Sequence, residues 1–198
     1  MRQSRKLEHI RWALHLPDGP RTTGLNDIRL VHNALPEISS EEINIQSEVF
    51  GCSLKAPVLI NAITGGNPKV QEINKLLARA AQTAGFGIAV GSQTGALLDP
   101  ELAATFAVVR KENPDGLVIA NVGAAVNIKL ALQAVEMIQA NALQVHLNIP
   151  QELAMAEGDR DFRGIAENIR KLRDLSPVPV IVKEVGFGLS KEVASFLQ

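Results

Sequence analysis

The stretch 145-VHLNIPQE-152 concentrates residues that do chemistry. An apolar run from Ala142 to Val145 ends in His146 and Asn148, and Gln151-Glu152 follow Pro150. An imidazole exchanges protons, carboxamides orient a ligand without charge, and a carboxylate can hold a divalent cation. Read as a strand and its exit, the spacing places His146 and Asn148 on one face and Gln151-Glu152 in the loop beyond. Glu152 can supply one carboxylate to Mg2+, an ion that usually takes only one or two protein carboxylates together with substrate phosphate and water. The chain has no H-x-x-x-H or C-x-x-C spacing, which argues against zinc. Taken alone, His146 also reads as a hydrogen-bonded core histidine.

Lys183 is the sharpest single residue, because 180-VIVKEV-185 sets an ammonium inside an apolar strand, where an unpaired charge is costly. It either pairs with Glu184 or another acid, or acts on a ligand, as a Schiff-base lysine or as the partner of an electron-rich flavin edge. Alternation sends Lys183 and Glu184 to opposite faces, so both do not enter one site. In 61-NAITGGN-67 the Thr-Gly-Gly offers a hydroxyl and open backbone N–H groups to a ring or an anion, or else is simply a turn. Ser92 and Gln93 in 91-GSQTG-95, and Asn121 in 121-NVG-123, recur where strands end. The Ser92 hydroxyl and the Asn121 carboxamide can bond a heterocycle's edge or cap the next helix. Arg5, Lys6 and His9 share one turn spacing on a first helix, either a diphosphate cradle or a solvated face.

These residues need elements to hold them. From residue 56 onward, short apolar β-branched runs alternate with amphipathic stretches, the pattern of βα units around a parallel sheet. The spacing predicts strands at 57–62, 86–91, 117–122, 142–147 and 178–185. It predicts helices at about 69–84, 101–112, 128–140 and 162–174, with a fifth beginning near Ser190. Asp99-Pro100, Asn127 and Ser190 read as helix starts, and Asn113-Pro114-Asp115-Gly116 as a turn. Residues 1–55 break the pattern. They read as a helical lead-in over 3–15, a turn at Asp18-Gly19-Pro20, and a short antiparallel strand within 43–49, together an extension packed on the bottom or rim. The polar residues fall at the ends of many strands, which favours a (β/α)8 barrel over an open doubly wound sheet. Residues 56–198 then supply about five units of an incomplete barrel.

Composition narrows the class. Twenty Lys+Arg against 21 Asp+Glu leave a net charge of -1, so no overall basic field points to nucleic acid or a membrane surface. Anion binding must then be local. No apolar run approaches the ~20 residues of a bilayer span, and the start of the chain lacks a signal-peptide core, so a cytoplasmic location is expected. Cys52 is the single cysteine and reads as an ordinary thiol.

Taken together, RKLEHI at 5–10, TGLND at 23–27, NAITGG at 61–66, AVGSQ at 89–93, RKENPDGLVIANVG at 110–123, NALQVHLNIPQE at 141–152, EGDRDF at 157–162 and PVIVKEVGFG at 179–188 resemble the type 2, flavin-dependent isopentenyl diphosphate isomerases. The resemblance implies a (β/α)8 TIM barrel, FMN kept reduced by NADPH or NADH, and Mg2+ on the diphosphate. The implied reaction, part of isoprenoid biosynthesis, interconverts isopentenyl and dimethylallyl diphosphate without net redox change. It implies further that Ala62, Ile63 and Thr64 line the flavin while Ser92, Asn121 and Lys183 hydrogen-bond it. Arg5, Lys6 and His9 would hold diphosphate, His146 and Asn148 position substrate, Gln151 touch its alkene end, and Glu152 bind Mg2+. Ile63 stands where many relatives have Met. The small prenyl diphosphate is the expected partner, with a homo-oligomer expected of a full-length protein. Family members continue through three more βα units, so the chain is expected to be a fragment that binds FMN weakly or not at all. Two other readings remain: an aldolase-like enzyme forming a Schiff base on Lys183, and an inactive fragment acting only in assembly.

Overall fold

The computed structural model describes residues 2–17, 19, 22–156 and 158–198, and the side chains of residues 2–5 are outside that description. The turn expected at Asp18-Gly19-Pro20 therefore falls on residues outside it at Asp18 and Pro20. The lead-in forms α1 (Arg2–His15). The segment from residue 22 to 46 contains only two 3-10 turns, Leu25–Asp27 and Ser40–Glu42, and leaves Leu30 and Val31 91% and 97% exposed. The strand expected within 43–49 is confined to β1 (Ser47–Val49), which pairs antiparallel with β2 (Cys52–Leu54). Asn44 shortens it, because its Oδ1 accepts the N–H of Gln46 and bends the backbone locally. Phe50 and Gly51 both have positive φ, the conformation that a tight two-residue hairpin turn requires.

Beyond the hairpin come β3 (Leu59–Ile60), α2 (Gln71–Ala84), β4 (Gly87–Ala89), α3 (Thr94–Leu98), α4 (Ala104–Glu112), β5 (Val118–Gly123) and α5 (Ile128–Met137). They are followed by β6 (Ala142–His146), α6 (Ile149–Ala154), α7 (Ile165–Leu175), β7 (Val180–Lys183) and α8 (Lys191–Leu197). The five expected strands are present, four of them shorter and β5 of the expected length but one residue later, and the expected helices lie where periodicity puts them. α3 and α6 were not expected: each is a short helix inside what reads as a loop. Helix starts follow local chemistry. Asp99, Asn127 and Ser190 accept N–H groups of their first turns, and Asn67 does the same ahead of Pro68. Gly85, at φ 69, ends α2 in the left-handed conformation.

The strands β3 to β7 pair in parallel, in chain order, without the order reversal of a doubly wound sheet. The sheet is curled. Gln144 Nε2 on β6 lies 3.5 Å from Asn61 Oδ1 just beyond β3, although three strand steps span ~14 Å in a flat sheet. Alternation sorts the two faces. Ile88, Val90, Val118, Ala120, Val122, Leu143 and Val145 pack outward against Ala78, Phe106, Ala131, Ala134 and Leu172 of the helices. The inner face carries Ala89, Ile119, Ala142 and Ile181 toward the strands' amino ends, where Leu54, Val49 and Cys52 of the hairpin cover them. The same inner rows, continued toward the carboxyl ends, present Asn121, Gln144, His146 and Lys183.

At the amino end Arg110 staples two loops. Its guanidinium donates to the carbonyls of Asn113, Pro114 and Gly116 at 3.0 Å each, to Gln139 at 2.8 Å and to Asn141 Oδ1 at 2.7 Å. Asn141 Oδ1 also accepts the N–H of Val118 at 2.9 Å, so the turn at 113–116 is tied to β5. Among the described residues no helix is long and apolar enough to cross a membrane.

Phe106 of α4 is fully buried beneath Gly65, where a Cβ would collide with its ring and φ is +138°. Phe106→Ala is expected to lower the unfolding free energy by about 3–5 kcal/mol in urea titrations. An unchanged midpoint would mean that the turn at Gly65 does not rest on this ring.

Candidate functional site

The site is built on the inner face at the carboxyl ends of β5, β6 and β7. Parallel register sets Asn121 beside Gln144 and Ile181, and one step further out sets Gly123 beside His146 and Lys183. Gly123 leaves the imidazole room: a Cβ there would stand 3.6 Å from His146 Nε2.

Asn121 is 4% exposed and hydrogen-bonded through its backbone and both ends of its carboxamide. Its Nδ2 donates to the Val90 carbonyl at 3.1 Å, its Oδ1 lies 3.1 Å from His146 Nδ1, and its backbone N–H goes to Gln93 Oε1 at 3.0 Å. Because Nδ2 is committed to Val90, Oδ1 faces the imidazole as acceptor, and Nδ1 of His146 must carry the proton. Nε2 of the neutral ring then keeps a lone pair. Burial pushes the His146 pKa down to about 4, and the cations Lys183 and Lys6 add to the effect, against a backbone contact with Val122 that raises it. Lys6 of α1 thus acts electrostatically on a ring at the strands' carboxyl ends. Its companion Arg5 has its side chain outside the described residues.

Several expectations change at this point. Gln93 does not face a ligand: it is fully buried, and its Nε2 donates to Ala134 O at 2.9 Å, joining β5 to α5. Asn148 does not share a strand face with His146, because β6 ends at His146. Asn148 instead caps α6, and Gln151 and Glu152 lie on that helix and not in a loop. The cause is the Asn-x-Pro pattern, a capping side chain with proline in the first helical turn. Asn148 Nδ2 donates to Gln151 Oε1 at 2.5 Å, and Glu152 Oε2 accepts the N–H of Asp159 at 3.0 Å. Arg160, which spacing gave no reason to single out, donates to the Glu152 and Met155 carbonyls and ties down the end of α6. Lys183 meets the backbone carbonyl of Glu184 at 3.0 Å, not its carboxylate.

The other candidates are dispersed around this row. Ala62 packs against the inner apolar cluster, and Ile63 is 46% exposed. Thr64 is buried and its hydroxyl donates to Asn74 Oδ1 on α2, while Asn74 Nδ2 donates to the Thr105 carbonyl at 2.8 Å. Its carbonyl accepts the Gly91 N–H at 2.8 Å. Thr64 therefore braces the turn, which presents backbone rather than hydroxyl. Ser92 Oγ lies 3.1 Å from Thr94 Oγ1. Lys6 and His9 are half-buried on α1. Gln144 is 4% exposed and its Oε1 has no hydrogen-bond partner. Sequence reading passed over Gln144, although a glutamine between Leu143 and Val145 in an apolar strand is itself a signal. Among the described residues no group of three or more His, Cys, Asp or Glu could hold a metal ion.

No protein-family model matches the chain. Among curated proteins it is 48% identical, over all of its length, to an isopentenyl-diphosphate delta-isomerase of Symbiobacterium thermophilum. It is 48% identical over 99% of its length to the protein of that name in Bacillus pumilus, and 50% identical over 98% to that of Moorella thermoacetica. The chain spans 55–56% of the length of these relatives. A universal stress protein from Archaeoglobus fulgidus aligns with 64% of the chain at 15% identity, but its TM-score of 0.25 carries no argument about the fold.

The His146 geometry gives a pH dependence with a definite sign. The unfolded chain takes up this proton near the ordinary histidine value, and the folded chain only near pH 4. Stability is therefore expected to fall as pH drops from about 6.5 to 4, by up to about 3 kcal/mol. His146→Gln keeps a donor to Asn121 without the titration. Urea unfolding at pH 7 and pH 4.5 should show a smaller loss in this variant, and an equal loss would disprove the assignment.

Proposed function

We propose that this chain, which by sequence belongs to the isopentenyl-diphosphate delta-isomerase family, forms the first five βα units of a flavin-dependent, type 2 enzyme of (β/α)8 architecture. The proposed activity is the interconversion of isopentenyl and dimethylallyl diphosphate. What carries the reading is one observation: His146, Lys183 and Asn121 converge on the inner face at the strands' carboxyl ends, with Lys6 close enough to act on the imidazole. That is a locally cationic, hydrogen-bonding rim on a chain of net charge -1, suited to a small diphosphate.

The residues fit a flavin. Ala62 and Ile63 supply apolar surface next to the rim, Gln144 Oε1 is a buried acceptor without a partner, and Lys183 supplies positive charge. Ala62, Ile63, Thr64, Ser92, Asn121 and Lys183 would hold FMN, with Lys183 balancing negative charge at its pyrimidine end. When bound and kept reduced by NADPH or NADH, the cofactor supplies the proton chemistry. Glu152 fits Mg2+ as one protein carboxylate, the substrate's own oxygens completing the shell.

The chain's own side chains divide the remaining work. Arg5, Lys6 and His9 hold the diphosphate. Neutral His146, its Nδ1 proton directed to Asn121, keeps Nε2 as an acceptor that orients substrate and adds no charge to the rim. Asn148, as the cap of α6, sets the position of Gln151 at the alkene end and of Glu152 beside it.

In a chain extended to the relatives' length, Gln151→Ala is expected to retain flavin absorbance and to lose isomerisation by about 10²-fold or more. Loss of flavin along with activity would make Gln151 structural. Full activity would remove it from the site.

A further inference from the structure

Glu184 follows Lys183 at the end of β7, and nothing in the proposed reaction uses it. Its Oε2 accepts the N–H groups of Gly186, Phe187 and Gly188 at 2.7, 2.6 and 2.9 Å. The wrap depends on Gly186 at φ 118° and Gly188 at φ 94°, values that side chains rarely tolerate. Partial burial works to raise the Glu184 pKa, but these N–H groups outweigh it and hold the carboxyl below the usual range. The carboxylate thus stays ionised and fastens a turn of the main chain around itself. At the base of that turn the Glu184 carbonyl accepts from Lys183 Nζ at 3.0 Å. Lys183 in turn lies opposite His146 in the sheet register.

We propose that Glu184 is a positioning residue: its carboxylate knots residues 184–188 into a turn whose carbonyl holds the Lys183 ammonium on the inner rim beside His146. The functional meaning rests on the reading of Lys183 as a ligand-holding group. The geometric claim is testable on the 198-residue chain alone, without flavin or substrate.

The test is an NMR titration of the His146 imidazole, identified among the four histidines by the signal that disappears in His146→Gln. The cations acting on this ring are Lys183 of β7 and Lys6 of α1. In Glu184→Ala the turn is released and the ammonium leaves the rim, so the His146 midpoint should rise from about 4 by roughly one pH unit. Loss of the Glu184 negative charge alone would shift it the other way, so the sign separates repositioning from simple electrostatics. Glu184→Gln retains an acceptor oxygen and should give no rise. Glu184→Asp, whose carboxylate is too short to collect all three N–H groups, should give a partial rise and serves if the alanine variant does not fold. In a Lys183→Met background, Glu184→Ala should no longer raise the midpoint. An unchanged or lowered midpoint in both Glu184→Ala and Glu184→Asp, or an equal rise without Lys183, overturns the proposal. Either result leaves the family reading untouched, because no flavin or isomerase signal enters the measurement.

Discussion

Polar side chains buried on the concave face of a sheet cost free energy unless each finds a partner, and that constraint organises this protein around Asn121. Its carboxamide binds Val90 of the preceding strand and His146 of the next, while its backbone N–H takes Gln93 Oε1. Gln93 then reaches through to the Ala134 carbonyl of α5. One residue therefore couples three neighbouring strands and the helix layer outside them. Moving any one of these would leave an amide or an imidazole nitrogen unpaired in a water-poor interior, so the spacing of the strand ends is tightly held.

The electrostatics of the rim follow from the same bonds. Asn121 presents only its oxygen to the ring, so the His146 proton stays on Nδ1. Burial and the two lysines keep a second proton off. Two lysines thus act on an imidazole that stays uncharged.

The opposite end of the sheet is stabilised by different means. There the inner face is apolar and covered by the β1–β2 hairpin, and Arg110 gathers loop carbonyls that would otherwise rely on water. The long run 110-RKENPDGLVIANVG-123 contains both devices: a staple at its start and Asn121 near its end. In the same way Thr64 spends its hydroxyl on α2, and the Thr-Gly-Gly turn can lie over Phe106 only because Gly65 has no side chain.

Sequence by itself determined the five strands, the longer helices and several helix starts, but neither the strand ends nor the short helices α3 and α6. Apolar alternation located the five strands, and Asp99, Asn127 and Ser190 marked helix starts, because these signals act over a few residues. It also pointed to His146, Lys183 and Asn121 as polar groups in apolar strands, and the resemblance attached a chemistry to them. Tertiary structure alone decided which of these groups meet. Gln93 turned out to be a tie because its acceptor lies 41 residues away on α5, and Asn61 and Gln144 come together from 83 residues apart only because the sheet curls. The His146 tautomer depends on Val90 through Asn121, and the seat of Lys183 depends on a turn closed by Glu184. Local propensity reaches only a few neighbours, whereas hydrogen-bond satisfaction in a buried face is settled by whichever strands the fold brings alongside.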